Sequence, residues 1–200
     1  MKSISSRLAV ASAAVLFATR IAEAHPGHAG HGGLTAGFAH PFSGTDHILA
    51  MIAVGLLAVQ IGRRAIWILP LTFVTLMTAG GFANLAGVVV PWVEQGIVAS
   101  VLVLGLMITL AAKRMSIVIP LFLVGLFAIF HGYAHVAEMR AGASPADYAM
   151  GFITATAILH SVGICLGLAA RRFTSHQLIR LSGAAIAGYG LLLLTGLIAA

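Results

Sequence analysis

Charged residues are scarce in this 200-residue chain: Asp, Glu, Lys and Arg together make up 8%, whereas hydrophobic residues make up 60%. A soluble domain needs far more polar surface to face water, so this composition excludes an ordinary globular protein. The mean hydropathy of +1.05 is typical of an integral membrane protein. The predicted fold class is all-α, a polytopic membrane helical bundle, because helices satisfy their own backbone hydrogen bonds in lipid.

Cysteine is also nearly absent, since Cys165 is the single one in the chain. One cysteine excludes an intrachain disulfide and a cysteine-based metal cluster. The net charge of +6 comes from basic residues scattered between apolar runs, so we expect no nucleic-acid partner and assign these residues to membrane topology. The sequence has no phosphate-binding Gly-Lys loop, so ATP does not drive this chain by itself.

The N-terminus has the pattern of a secretory signal peptide over residues 1–24. A basic start and a short apolar core precede an A-x-A cleavage site that ends at Ala24. Cleavage there leaves a His/Gly-rich periplasmic N-terminus, residues 25–34, followed by a transmembrane domain over residues 35–200. An uncleaved membrane anchor is the alternative interpretation of the first segment.

Six apolar stretches are each long enough to cross a bilayer, which takes about 20 residues. They cover residues 35–62, 65–87, 94–112, 116–138, 147–170 and 177–199. With the mature N-terminus outside, the outer loops hold only Arg140 among the basic residues. The inner loops then hold Arg63, Arg64, Lys113, Arg114, Arg171, Arg172 and Arg180. This asymmetry follows the positive-inside rule and places both mature termini on the outer side.

Ionisable side chains are costly inside a membrane, and here they cluster in two motifs. The first span begins with "HPFSGTDH" and the fourth ends with "FHGYAHVAEM". Because the two spans run in opposite directions, both motifs arrive at the same depth near the outer surface. The predicted metal ligands in them are His40, Asp46, His47, His131, His135 and Glu138. Imidazole and carboxylate without thiolate suit nickel, zinc, copper or cobalt and argue against a closed structural zinc site.

Pro41 and Gly44 lie inside the first motif, where they would break or loosen the helix. His40 and His47 could then bend toward one ion although they are distant along the helix. Each residue of the two motifs could also have a purely structural role. Asp46 could cap the helix, and a lone membrane histidine such as His131 usually hydrogen-bonds a neighbouring helix. The two motifs taken together, matched in depth, favour metal or proton chemistry.

Four further histidines are predicted to bind the ion before and after the main site. His25, His28 and His31 lie in the His/Gly-rich N-terminus and are predicted to form a flexible capture site. A Gly/His tail without function is the alternative for that stretch. His160, in the middle of the fifth span, is predicted to relay the ion toward the cytoplasm, and an ordinary core histidine is the alternative there.

At these motifs the sequence resembles the HupE/UreJ family of small membrane proteins associated with nickel hydrogenases and ureases. "HPFSGTDH" matches that family's H-P-x-x-G-x-D-H signature, and "FHGYAHVAE" matches its F-H-G-x-A-H-x-x-E segment. Val136 stands where the family often has glycine, which removes no ligand. The resemblance implies a non-ATP permease of the bacterial inner membrane that carries nickel, or cobalt, for hydrogenase or urease maturation. Cytoplasmic nickel chaperones are its expected partners, and no prosthetic group is expected.

Two other functions remain open from the residues. One is a metal-binding accessory or sensor scaffold that does not transport. The other is an intramembrane zinc hydrolase resembling the alkaline ceramidases, with Ser43, Asp46 and the histidines as its reactive set. Gly132, however, stands where a zincin has its catalytic glutamate, and those hydrolases have seven spans. We therefore expect that the chain is not an enzyme.

Overall fold

A computed structural model describes residues 32–110, 116–173 and 176–199, and within these ranges the chain is helical, without a strand. The helices are α1 (Gly32–Ala39), a 3-10 turn (His40–Phe42), α2 (Thr45–Ile61), α3 (Ala65–Leu85), α4 (Val93–Leu110), α5 (Val118–Ala137), α6 (Pro145–Phe173) and α7 (His176–Leu194). The predicted signal peptide, the capture histidines His25, His28 and His31, and the pair Lys113 and Arg114 lie outside the described residues.

Five helices of the described chain, α3 to α7, are each long and apolar enough to cross a membrane. α1 and α2 meet the same criterion together, but they are bent by 79° at the short break between them. Counted as one broken span, this pair brings the number of spans to six. The predicted all-α membrane bundle is therefore confirmed, with the difference that its first apolar stretch is not one straight helix.

The break between α1 and α2 follows from Pro41 and Gly44. Pro41 has no N–H with which to continue a helix, and the chain tightens there into the 3-10 turn. Ser43 closes this turn, since its backbone N–H and its hydroxyl donate to the carbonyl of His40 at 2.9 and 2.6 Å. Gly44 is extended, with φ −110° and ψ 130°, and α2 starts directly after it. The ring centroids of His40 and His47 consequently lie 6.1 Å apart across the bend.

α2 is the central helix of the bundle. It packs against α3, α4 and α6, and nearly every side chain from Ala50 to Val59 is buried. Its 17 residues span about 26 Å, somewhat less than the roughly 30 Å of a bilayer's hydrocarbon core. Near its C-terminal end the Arg171 guanidinium of α6 donates to the carbonyl of Val59 at 3.1 Å. This bond satisfies one of the carbonyls that the end of a helix leaves free.

Four of the remaining long helices form two closely packed pairs, α3 with α5 and α4 with α7, whereas α6 packs against α1 and α2. In the first pair a Cβ added to Gly132 of α5 would collide with the backbone of Met77 in α3. Small residues allow membrane helices to approach this closely, and van der Waals contact then holds them together. This approach brings Phe73 of α3 to His131 of α5, with 5.7 Å between the ring centroids.

Apart from Arg140, the described basic residues lie at the opposite end of the bundle from the histidine motifs. α2 begins beside Asp46 and ends just before Arg63 and Arg64. α6 runs in the same direction and ends with Arg171 and Arg172 in its last turn. The described basic residues thus have the distribution that the positive-inside rule predicts for a bundle whose histidine end faces outward.

Candidate metal site

Four histidine rings lie against one another where α2 begins and α5 ends. The ring centroid of His47 is 4.8 Å from that of His131 and 4.9 Å from that of His135. His40 lies 4.8 Å from His135, measured in the same way. His131 and His135 are fully buried, whereas 20% of the His40 side chain is exposed. The two sequence motifs therefore meet in space, with His40 nearest to the surface.

Three of these rings are grouped closely enough to bind one ion. One ring nitrogen each from His40, His47 and His135 lies within 4.8 Å of the other two. Metal–nitrogen bonds of about 2 Å hold the ligands of one ion about 3 to 4 Å apart. The rings would need to close by only about 1 Å to share an ion. Because they come from the 3-10 turn, α2 and α5, such an ion would connect three segments of the chain.

Asp46 fixes the orientation of the His47 ring. Its Oδ1 accepts hydrogen bonds from His47 Nδ1 at 2.9 Å and from the His47 backbone N–H at 2.7 Å. A proton on Nδ1 leaves the lone pair on Nε2, which is buried and has no hydrogen-bond partner in the described part of the chain. A carboxylate behind an imidazole is the usual support for a metal-binding histidine.

Glu138 pairs with His40 at the entrance to the cluster. Its Oε2 lies 3.0 Å from His40 Nε2, and 51% of the Glu138 side chain is exposed. Both predicted carboxylates, Asp46 and Glu138, thus contact a histidine rather than joining the group of three nitrogens. Their two negative charges would balance a divalent cation, which lowers the cost of placing that charge in an apolar interior.

Ser100 of α4 orients His131 and is not among the site residues predicted from the sequence. Its hydroxyl donates to the carbonyl of Ile97 at 2.6 Å and lies 3.1 Å from His131 Nε2. Since the hydroxyl has one proton, it must accept from Nε2–H, which makes Nδ1 the unprotonated nitrogen. Nδ1 is buried and unpartnered among the residues described. In the sequence, the one feature that points to Ser100 is that it is a lone serine within the apolar run "GIVASVLVLGLM".

Two aromatic residues of α6 complete the wall of the site. Phe152 stacks on His135, with ring centroids 5.0 Å apart and planes 9° from parallel. The Tyr148 ring lies 6.1 Å from that of His40, and its buried hydroxyl finds no hydrogen-bond partner within the described ranges. Nothing in the sequence distinguishes these two from other aromatic residues of the apolar spans.

Two other residues predicted to be functional, His160 and Ser43, are not part of the four-ring cluster. His160 is 1% exposed and contacts Phe73, with 5.1 Å between the ring centroids. Ser43, the nucleophile of the hydrolase alternative, is exposed and donates its hydroxyl to the carbonyl of His40. Its proton is therefore directed at a backbone carbonyl and not at a histidine ring.

We expect Ser100→Ala to lower the affinity of the purified protein for nickel by about tenfold, because Ser100 orients His131, which is a predicted ligand and contacts the His47 ring. The substitution frees His131 to change its tautomer while the bundle keeps its packing. Isothermal titration calorimetry in detergent measures the affinity. Ser182→Ala is the matched control, because Ser182 is exposed and bonds only the carbonyl of Leu178 in its own helix. Equal affinities of the two variants would contradict this role of Ser100.

Two comparisons with known proteins each cover most of the chain. The sequence model of the HupE / UreJ protein family matches residues 13–193, which include both histidine motifs. Protein HupE of Rhizobium leguminosarum bv. viciae is 42% identical over 186 residues, which cover 92% of this chain and 95% of that relative. No solved structure matches the chain. The extent of the family match and the identity to a full-length relative show that this membrane protein belongs to the HupE/UreJ family.

Proposed function

We propose that this chain is a secondary permease that carries nickel, with cobalt as the second candidate ion, across the bacterial inner membrane. The observation that carries the proposal is the convergence of one ring nitrogen each from His40, His47 and His135 within 4.8 Å of one another. Imidazole is a good ligand for both ions, and the described site offers no thiolate. Membership of the HupE/UreJ family supports nickel as the cargo, destined for hydrogenase or urease maturation.

The cluster suits transport because its polarity and exposure change step by step. The Glu138 side chain is half exposed and the His40 side chain is 20% exposed. The inner histidines, His47, His131 and His135, are buried. An arriving hydrated ion would meet a carboxylate first and then exchange its waters for fixed nitrogens. Asp46 and Glu138 together would neutralise the ion's two charges as it loses water. The capture histidines His25, His28 and His31 would precede this step on the outer side.

The direction of movement follows from the charge distribution at the two ends of the bundle. The histidine end would face the periplasm and the end with Arg63, Arg64, Arg171 and Arg172 would face the cytoplasm, so that the mature termini are both periplasmic. Cytoplasmic nickel chaperones would then accept the ion. A metal-binding scaffold that holds nickel without moving it is the second candidate, because the same three nitrogens support binding alone.

Reconstitution into vesicles separates these two candidates. Vesicles that contain the protein and an enclosed nickel-sensitive dye should show entry of external nickel, whereas protein-free vesicles should not. His135→Ala should bind and transport less nickel, and Val136→Ala, the neighbouring half-buried position, is the matched control. Nickel that binds to the wild-type protein without entering the vesicles would overturn transport and support the scaffold.

A further inference from the structure

His160 is a buried histidine that the four-ring cluster does not include. It lies in the middle of α6, is 1% exposed, and neither ring nitrogen has a hydrogen-bond partner within the described chain. A neutral imidazole always carries one N–H, and leaving such a group unpaired in an apolar interior costs about 1 to 3 kcal/mol. A leucine would fill the same space without this cost. The imidazole therefore requires an explanation other than packing.

The ring of Phe73 contacts both His160 and one ring of the four-ring cluster. Its centroid is 5.1 Å from that of His160 and 5.7 Å from that of His131. Phe73 is fully buried, so its ring occupies this position without access to solvent. Nδ1 of His131 and both ring nitrogens of His160 have no hydrogen-bond partner in the described structure. One hydrocarbon ring thus contacts two imidazoles that could both bind a metal.

Two weak donor atoms lie near Phe73 and His160, one helical turn nearer to the histidine end of the bundle. Met77 follows one turn later in α3, and its Sδ lies 3.8 Å from the hydroxyl of Thr156. Thr156 precedes His160 by one turn of α6. One imidazole with a thioether and a hydroxyl nearby would bind a divalent ion more weakly than three imidazoles do. Weak binding suits an inner position, because conduction requires that an ion can also leave.

We propose that His160 is an inner ion-binding station and that the ring of Phe73 is the gate between this station and the four-ring cluster. The proposal rests on the proposed transport function and names a second site for the same ion. With the ring in its present position, the ion stops at the outer histidines. Rotation of the Phe73 side chain opens a passage from His131 to His160. A single hydrophobic ring in this position also prevents a continuous line of imidazoles from conducting protons.

A cysteine introduced at position 160 tests whether a metal reaches it. The native Cys165 is first replaced by alanine, which leaves a chain without cysteine, and His160→Cys is added. Cobalt is then bound to the purified protein, and a thiolate-to-cobalt charge-transfer band in the near-ultraviolet reports a metal at this position. Ser161→Cys in the same background is the matched control, because this neighbouring residue is on the exposed side of α6. We expect the band with His160→Cys and not with Ser161→Cys.

The gate is tested in the His160→Cys background. Phe73→Trp should slow the appearance of the band by roughly tenfold, which corresponds to about 1.4 kcal/mol in the barrier, and Phe73→Leu should hasten it. Phe127→Leu removes a ring from another buried position and should have no effect. If the band appears at one rate whatever residue is at position 73, Phe73 is not a gate.

The visible absorption of cobalt in the outer cluster separates failure of this inference from failure of the proposed function. Cobalt in the outer cluster without a thiolate band at position 160 would overturn the inner station and leave the outer site intact. Failure of the wild-type protein to bind either nickel or cobalt would overturn both. If His160→Cys does not fold, His160→Gln in vesicles decides: nickel entry should fall about tenfold with outer binding retained. Undiminished entry with this variant would refute the station.

Discussion

His47→Ala should abolish nickel entry into vesicles and lower the affinity for nickel by about 100-fold. His47 is the central ring of the cluster, since its centroid lies within 4.9 Å of those of His131 and His135. The substitution removes one of the three grouped nitrogens and also leaves the Asp46 carboxylate, which is 5% exposed, without the ring that it binds. The carboxylate keeps the backbone N–H of residue 47 but loses its side-chain partner, which destabilises the start of α2, so binding should suffer more than from loss of one ligand alone.

Ile48→Ala is the matched control for His47→Ala. Ile48 is the next residue of α2 and is half-buried, so its truncation tests the effect of lost packing at the same place. We expect Ile48→Ala to retain nickel affinity and entry. Titration calorimetry and the vesicle assay are applied to both variants. Nickel entry by His47→Ala at the rate of Ile48→Ala would contradict a role for the three-nitrogen group in transport.

Much of the fold could be predicted because membrane spans have a strong local signal. The predicted stretch 65–87 corresponds to the helix Ala65–Leu85, and 147–170 lies inside Pro145–Phe173. Twenty or so apolar residues between short polar connections leave few alternatives in a bilayer. The angle of 79° in the first stretch could not be predicted, because a proline and a glycine indicate where a helix breaks but not how far the next helix turns.

The candidate site was partly accessible from sequence for a similar reason. A histidine in an apolar span stands out because it is costly there, and opposite chain directions are enough to bring two motifs to one depth. The role of the carboxylates depends on distances of 2.9 and 3.0 Å that spacing alone does not give. Ser100, Tyr148 and Phe152 reach the cluster from α4 and α6, and their contribution depends on how these helices pack.

The bend at the first motif and the packing of α5 have to act together. Pro41 and Gly44 bring His40 back toward His47, but the ring of His135 reaches them only because α5 packs against α3, which in turn packs against α2. That approach depends on a position with no side chain, Gly132, which lies between the two histidines of the second motif. The same stretch of sequence therefore supplies the ligands and the close contact that positions them.

Gly132→Ala should lower the stability of the bundle by about 1 to 3 kcal/mol and weaken nickel binding at the same time. The added Cβ would collide with backbone atoms of Met77, which cannot move aside by changing a rotamer, so α3 and α5 must separate and carry His131 and His135 with them. Thermal unfolding in detergent and titration with nickel measure the two effects.

Gly188→Ala is the matched control, because a Cβ there meets nothing within 4 Å in the described structure. Since alanine favours a helix over glycine by up to about 1 kcal/mol, Gly188→Ala should be neutral or stabilising. A Gly132→Ala protein that unfolds and binds nickel like Gly188→Ala would show that the close contact of α3 with α5 does not position the histidines.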